Sequence, residues 1–268
     1  MATSGRDDDV TGAEFTGADL RGARFRGADL REAEFRGADL RDARFRGADL
    51  GGVVMRGVEV ANAEVDAPWL ADGGAVLLVN GVDVVPYVEA ELDRRFPGRG
   101  LKRAADPDGL RTAWAALERA WAATLDRVAA MPAGTVDVSV AGEWSFAQTL
   151  RHLVLATDVW FRKAVLGTAQ PFHPIGQIDA ASAGELDLSV FATEPPSYAE
   201  VLEVRAGHVA LVRDFLATVT PEELATPRRN PWAPDQPETT LSCLQVILEE
   251  EWEHHRYAVR DLDAIAAT

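Results

Sequence analysis

The chain is poor in cysteine: Cys243 is the only one among 268 residues, so no disulfide can form within the chain. A reducing, cytoplasmic setting fits that usage. Lysine is almost as scarce, with Lys102 and Lys163 carrying the type alone, and the formal net charge is −16. Phosphate backbones and anionic membranes need a basic face, so this balance argues against nucleic-acid and membrane partners. Apolar runs of membrane-spanning length are missing, and the opening MATSGRDDDV lacks the apolar stretch of a signal peptide. What remains is a chain with 47% hydrophobic residues, enough for a sizeable core.

Residues 11–50 repeat every five. The frames read TGAEF, TGADL, RGARF, RGADL, REAEF, RGADL, RDARF and RGADL. A Phe or Leu closes each frame from Phe15 to Leu50, with Ala two positions earlier. Neither the helical nor the strand period produces that spacing. It suits a coil with one side per repeat, Phe or Leu stacked inside and Ala in the tight corner. The stretch resembles the pentapeptide-repeat family, which implies a right-handed quadrilateral β-helix over 11–70, fading through Met55, Val60 and Val65. Eight Arg and eight acidic residues fall within 11–50 and cancel, so the acidic face that a DNA mimic needs is absent from the repeat. Docking is the expected role, with flat sides and coil ends suited to assembly, a homodimer being its simplest form.

Residues 71–104 read as a connector: a strand over 75–79, a turn at Asn80-Gly81 and a short helix from Pro86 to Arg95. From 105 to 268 four amphipathic helices are expected, at about 108–131, from the Ser145/Gln148 capping box to Gly167, 197–219 and 239–266. Helices of this length with apolar stripes form a bundle by default.

The last helix carries a conflict. Its apolar stripe runs Leu241, Leu244, Leu248, Glu251, His255, Ala258, Leu262, Ile265, which puts a carboxylate and an imidazole on the inward face at i and i+4. Burial is costly unless each is paired or binds a cation, and both are metal-ligating types. The neighbouring pair, Glu250 and His254, lies on a line with Ile247, Tyr257 and Asp261 that is largely polar and so reads as solvated. The inward pair is therefore taken as Glu251 and His255, with His152 of helix two as the third ligand of an open site. A buried hydrogen-bonded network without metal is the competing reading.

The segments WSFAQTLRHLVLATDVW (144–160) and EEWEHHRYAVRDL resemble the DinB-like family, which implies an all-α DinB-like four-helix bundle with a divalent metal held by helix-two and helix-four residues. In that family a His-x3-His pair is usual on the later helix. The Glu251 variant is similar to mycothiol-dependent maleylpyruvate isomerases, and the resemblance implies zinc or nickel at His152, Glu251 and His255. It also implies a low-molecular-weight thiol such as mycothiol as cosubstrate and a small electrophile as its partner. Arg205, on the apolar line of helix three, would neutralise a substrate carboxylate, or serve as a buried ion-pair partner. His208 is a further substrate-contact candidate, against the plainer reading of a core histidine. No general base is evident beyond His208 and the ligands, so the catalytic residues stay unassigned. Two function classes follow: a metal-dependent thiol S-transferase, and a non-catalytic, metal-stabilised bundle joined to an interaction repeat.

Overall fold

The computed structural model describes residues 10–178, 184 and 186–268. It divides into two compact units, Met1–Trp69 and Leu70–Thr268.

The first unit is built from β1 (Glu14–Thr16), β2 (Arg24–Arg26), β3 (Glu34–Arg36), β4 (Arg44–Arg46) and β5 (Val54–Arg56). The order β1-β3-β5 forms one parallel ladder and β2-β4 another. Phe15 pairs with Phe35, Phe35 with Met55 and Phe25 with Phe45, and single bridges join Asp19 to Asp39 and Asp29 to Asp49. Each partner lies twenty residues on, so one turn takes four five-residue frames. Phe25, Leu30, Phe35 and Leu40 are buried, with Ala28, Ala33 and Ala38 between them. Their rings stack, Phe15 on Phe35 at 4.8 Å and Phe25 on Phe45 at 4.7 Å. On the surface Arg21, Arg31 and Arg41 each bond an aspartate two residues back, and Arg21 and Arg31 also reach the aspartate of the next turn at 3.6 and 3.7 Å. These pairs neutralise part of the repeat's charge in place.

The second unit opens with a hairpin, β6 (Leu78–Val79) and β7 (Val82–Asp83), around Asn80-Gly81. Both turn residues have positive φ, as the tight hairpin turn requires. Helix α1 (Val85–Arg95) follows with Pro86 in its first turn. The chain then enters a 3-10 turn, Arg99–Arg103, through Gly98 at φ 103. A Cβ on Gly98 would stand 2.8 Å from that of Ala116, so only glycine lets this segment lie so close to the next helix. Arg99 is buried and bonds Glu89 and Asp93, each at 2.9 Å, and Glu253 at 3.4 Å. Residues 71–104 thus belong to the helical unit rather than standing apart as a connector.

Helix α2 (Pro107–Ala129) starts under an Asp106 cap. Helix α3 (Phe146–Thr157) carries the expected capping box of Ser145 and Gln148 but does not run unbroken to Gly167. It passes into a six-residue π turn, Asp158–Lys163, in which the Ala164 N–H donates to the Val159 carbonyl. Helix α4 (Tyr198–Thr218), the short α5 (Pro221–Leu224), the β8–β9 ribbon (Pro227–Arg228 with Glu238–Thr239) and α6 (Thr240–Ala266) complete the unit. Helices α2 and α3 each pack against both α4 and α6, so the four long helices form a ring in the order α2-α4-α3-α6. Leu110, Leu117, Leu150, Leu153, Ile247 and Trp252 fill its centre. Among the described residues, no helix is long and apolar enough to cross a membrane.

Candidate metal centre

Helix α6 presents two i,i+4 Glu–His pairs one residue apart, and the ring gives them different partners. Glu251 and His255 face the core. The Glu251 carboxylate receives the Arg205 guanidinium from α4, and both are buried. Burial pushes the Glu251 carboxyl above its ordinary range, while Arg205 acts in the opposite direction. His255 Nε2 lies 2.9 Å from the Thr124 hydroxyl of α2, and its ring packs edge-on against Trp121 at 5.0 Å and Trp252 at 5.7 Å. Burial pushes the His255 imidazole down to about 4, so it is neutral at physiological pH.

His152 does not join them. It meets the other pair, Glu250 and His254, across the α3–α6 seam, where the ligand atoms of the three residues lie within 4.8 Å of one another. His152 Nε2 is 3.3 Å from Glu250 Oε2, and the two imidazole centroids are 4.5 Å apart. The expected set His152, Glu251 and His255 is therefore corrected to His152, Glu250 and His254. The physical reason is that Glu251 already has a cation, Arg205, that His255 meets the Thr124 hydroxyl through Nε2, and that among the described residues no third metal-ligating side chain converges on this pair.

The local chain explains the trio. Glu250 and His254 stack one turn apart on α6. His254 Nδ1 donates to the Glu250 main-chain carbonyl at 2.8 Å, which leaves the lone pair on Nε2. Burial, and then the His152 ring, push His254 down to about 4, so this imidazole is held in the neutral form that ligates metals. Trp144, just before the α3 cap, packs over both imidazoles, 4.7 Å from His152 and 6.2 Å from His254. Tyr257 meets His254 edge-on at 5.7 Å and carries the Arg256 and Arg260 guanidinium groups on its ring.

Two imidazoles and a carboxylate are the donor set of open first-row metal sites. His152 Nδ1 is buried with no hydrogen-bond partner among the described residues, so the ring is not satisfied by protein contacts alone. The three side chains keep 13, 16 and 15% exposure, which leaves an approach for a further ligand. The residues present fit a divalent ion.

The two substrate-contact candidates lie elsewhere. Arg205 is the partner of Glu251. His208 is buried on α4 with Nε2 2.7 Å from Asp158 Oδ1 and Nδ1 2.9 Å from the Val204 carbonyl. Asp158, in the π turn, also accepts from the His173 N–H at 2.7 Å and from Arg162 at 2.9 Å. This is the satisfied core histidine of the plainer reading. Reasoning from the stripe missed Glu250, His254 and the role of Trp144; the signal was the His254-His255 doublet, which offers two registers at once.

Comparison with known families agrees with this architecture. The chain matches the DinB superfamily over residues 116–258, more than half its length, and pentapeptide repeats in eight copies over 9–47 and 18–57. The protein belongs to the DinB superfamily, with pentapeptide repeats ahead of the helical domain. No curated protein and no solved structure matches the chain.

Proposed function

We propose that the helical domain binds one divalent metal, zinc or nickel, through His152, Glu250 and His254, and uses it with a small thiol of the mycothiol type to modify a small electrophile. The observation that supports this is the convergence of two neutral-capable imidazoles and a carboxylate at a partly exposed seam. An ion held there supplies Lewis acidity, which favours the thiolate form of a bound thiol. Within the chain, Glu250 provides the negative charge and its main-chain carbonyl orients His254. Trp144 walls the imidazoles on one side. The thiol is external, because Cys243 is fully buried. The repeat unit, read as a right-handed four-sided β-helix, serves as an interaction module, its neutral surface favouring a protein partner, a second copy included, over nucleic acid.

The test separates the two registers. Protein expressed without chelator should carry about one metal per chain by elemental analysis. Glu250→Gln and His152→Ala should each weaken metal binding by roughly tenfold or more, whereas Glu251→Gln should keep the metal and lose stability. The reverse pattern, or protein free of metal, overturns the assignment. Conjugation of a thiol to 1-chloro-2,4-dinitrobenzene should then require the metal; metal binding without any thiol-dependent turnover would leave a non-catalytic, metal-stabilised domain.

A further inference from the structure

Over residues 11–50 the repeat is neutral in sum, yet its charges are sorted by side. Strands β2 and β4 read Arg24-Phe25-Arg26 and Arg44-Phe45-Arg46 and pair in parallel, Arg24 opposite Arg44 and Arg26 opposite Arg46. Side chains alternate along a strand, so Phe25 and Phe45 turn inward, stacked 4.7 Å apart, and the four arginines turn outward. Arg24, Arg26 and Arg44 are exposed and Arg46 is half-buried.

Like charges directly opposite one another across a ladder are destabilising. Elsewhere the repeat compensates its cations: Arg21, Arg31, Arg36 and Arg41 each bond an acid two residues back. The guanidinium groups of Arg24, Arg26 and Arg44 have no acid and no other polar partner among the described residues. Asp42 stands at the corner before Arg44 and pairs with none of them. Twenty residues beyond Arg44 and Arg46 the sequence carries Glu64 and Asp66, so the all-arginine patch is two rungs tall.

Three unpaired guanidinium groups on one side call for anions, and size and charge decide which. Nucleic acids gain their affinity from many phosphate contacts, and a chain at −16 repels a polyanion wherever it extends past two rungs. A second copy brings its own −16. A short acidic segment meets the least repulsion. In extended form its alternate residues are about 7 Å apart, the spacing of Arg24 and Arg26 along their strand. The planar fork of arginine matches a carboxylate through two parallel hydrogen bonds.

We infer that the β2–β4 side of the repeat is a docking surface for an extended acidic segment of another protein, its alternate carboxylates meeting Arg24, Arg26 and Arg44. This assignment rests on the repeat being an interaction module and narrows that role to one side and one chemistry.

The test uses the full chain at low ionic strength and a fluorescent peptide with glutamate at alternate positions. The same peptide with glutamine in those places and a thymidylate decamer are the comparisons. Anisotropy should show the glutamate peptide binding, and the other two binding about tenfold more weakly or not at all. Arg24→Gln/Arg44→Gln should weaken glutamate-peptide binding about tenfold, each exposed pair being worth up to about fivefold. The melting temperature should not fall, because the double variant removes a juxtaposition of like charges. Arg36→Gln, on the β1–β3 side, should leave binding unchanged. Peptide binding that survives Arg24→Gln/Arg44→Gln, or an oligonucleotide bound as tightly as the glutamate peptide, overturns the proposal. Sedimentation of the chain alone separates its failure from that of the broader role. A chain that ignores the peptide yet self-associates through Arg24 and Arg44 keeps the interaction module and overturns the acidic partner protein. A monomer that ignores the peptide overturns the assignment and leaves the module reading without support.

Discussion

Arg205 on α4 and Glu251 on α6 join across the middle of the helical ring, one guanidinium nitrogen bonded to both carboxylate oxygens. These two helices are not neighbours in the ring, whose order is α2-α4-α3-α6. The pair therefore spans the core rather than decorating a seam. Removing one member should leave the other as an uncompensated buried charge. Arg205→Met is expected to cost about 3–5 kcal/mol of unfolding free energy. The double variant Arg205→Met/Glu251→Leu should recover most of it, since an apolar pair needs no compensation. Urea unfolding of the single and double variants measures both; a single-variant loss below about 1 kcal/mol would show that the pair is not essential.

The metal-free protein should lose stability as pH falls from neutrality. His254 and His255 are both pushed down to about 4 in the fold, against about 6.5 in an unfolded chain. Between those values the unfolded chain binds more protons, so stability rises with pH there. It is complete above the unfolded value and declines toward the folded one, with about 3 kcal/mol per ring as an upper bound. His255→Gln should flatten part of that slope. Chemical denaturation across this window in the presence of chelator is the measurement, and an equal slope in wild type and variant would refute the assignment.

Cys243 should be inert in the folded protein. It is fully buried on α6, and burial pushes its thiol up to about 11. Ellman's reagent at mildly alkaline pH should find no thiol until denaturant is added, and then one per chain. Rapid labelling of the native protein would reopen the question of an internal nucleophile.

Two corners within residues 11–50 of the repeat are strained. Glu32 and Asp42 hold φ of 60 and 58, where the matching position of most other frames is glycine. A left-handed residue with a side chain costs on the order of 1–2 kcal/mol, offset in part by the extra entropy that glycine has when unfolded. Glu32→Gly is expected to stabilise the repeat unit by about 0.5–1 kcal/mol, and Asp42→Gly by less because aspartate tolerates this region better. Thermal unfolding followed by a strand signal would show it; destabilisation would mean that the lost side-chain contacts outweigh the relieved strain.

Much of this architecture was readable from local pattern. The five-residue period over 11–50 marked a coil with one frame per side, the resemblance to pentapeptide repeats implied four frames per turn, and the pairing of Phe15 with Phe35 and Phe25 with Phe45 has that twenty-residue spacing. The apolar stripes placed α2, α4 and α6 within a few residues and the Ser145/Gln148 box placed the start of α3, whose α-helical part stops at Thr157, well short of Gly167. Asn80-Gly81 marked its hairpin. The π turn at Asp158–Lys163 left no mark of that kind; it coincides with a buried carboxylate whose partners, His173 and His208, come from other segments.

By itself the sequence determined that two Glu–His pairs stand side by side on α6 and that one of them points inward, since both facts follow from the helical repeat. It did not determine which pair meets a histidine. That choice rests on residues far away in the chain: Arg205 and Thr124 arrive at Glu251 and His255, and His152 arrives at Glu250 and His254. An inward polar residue signals only that compensation is needed. Whether the compensation is a guanidinium, a hydroxyl or a metal depends on which helices the ring brings into contact, and the order of packing decided that.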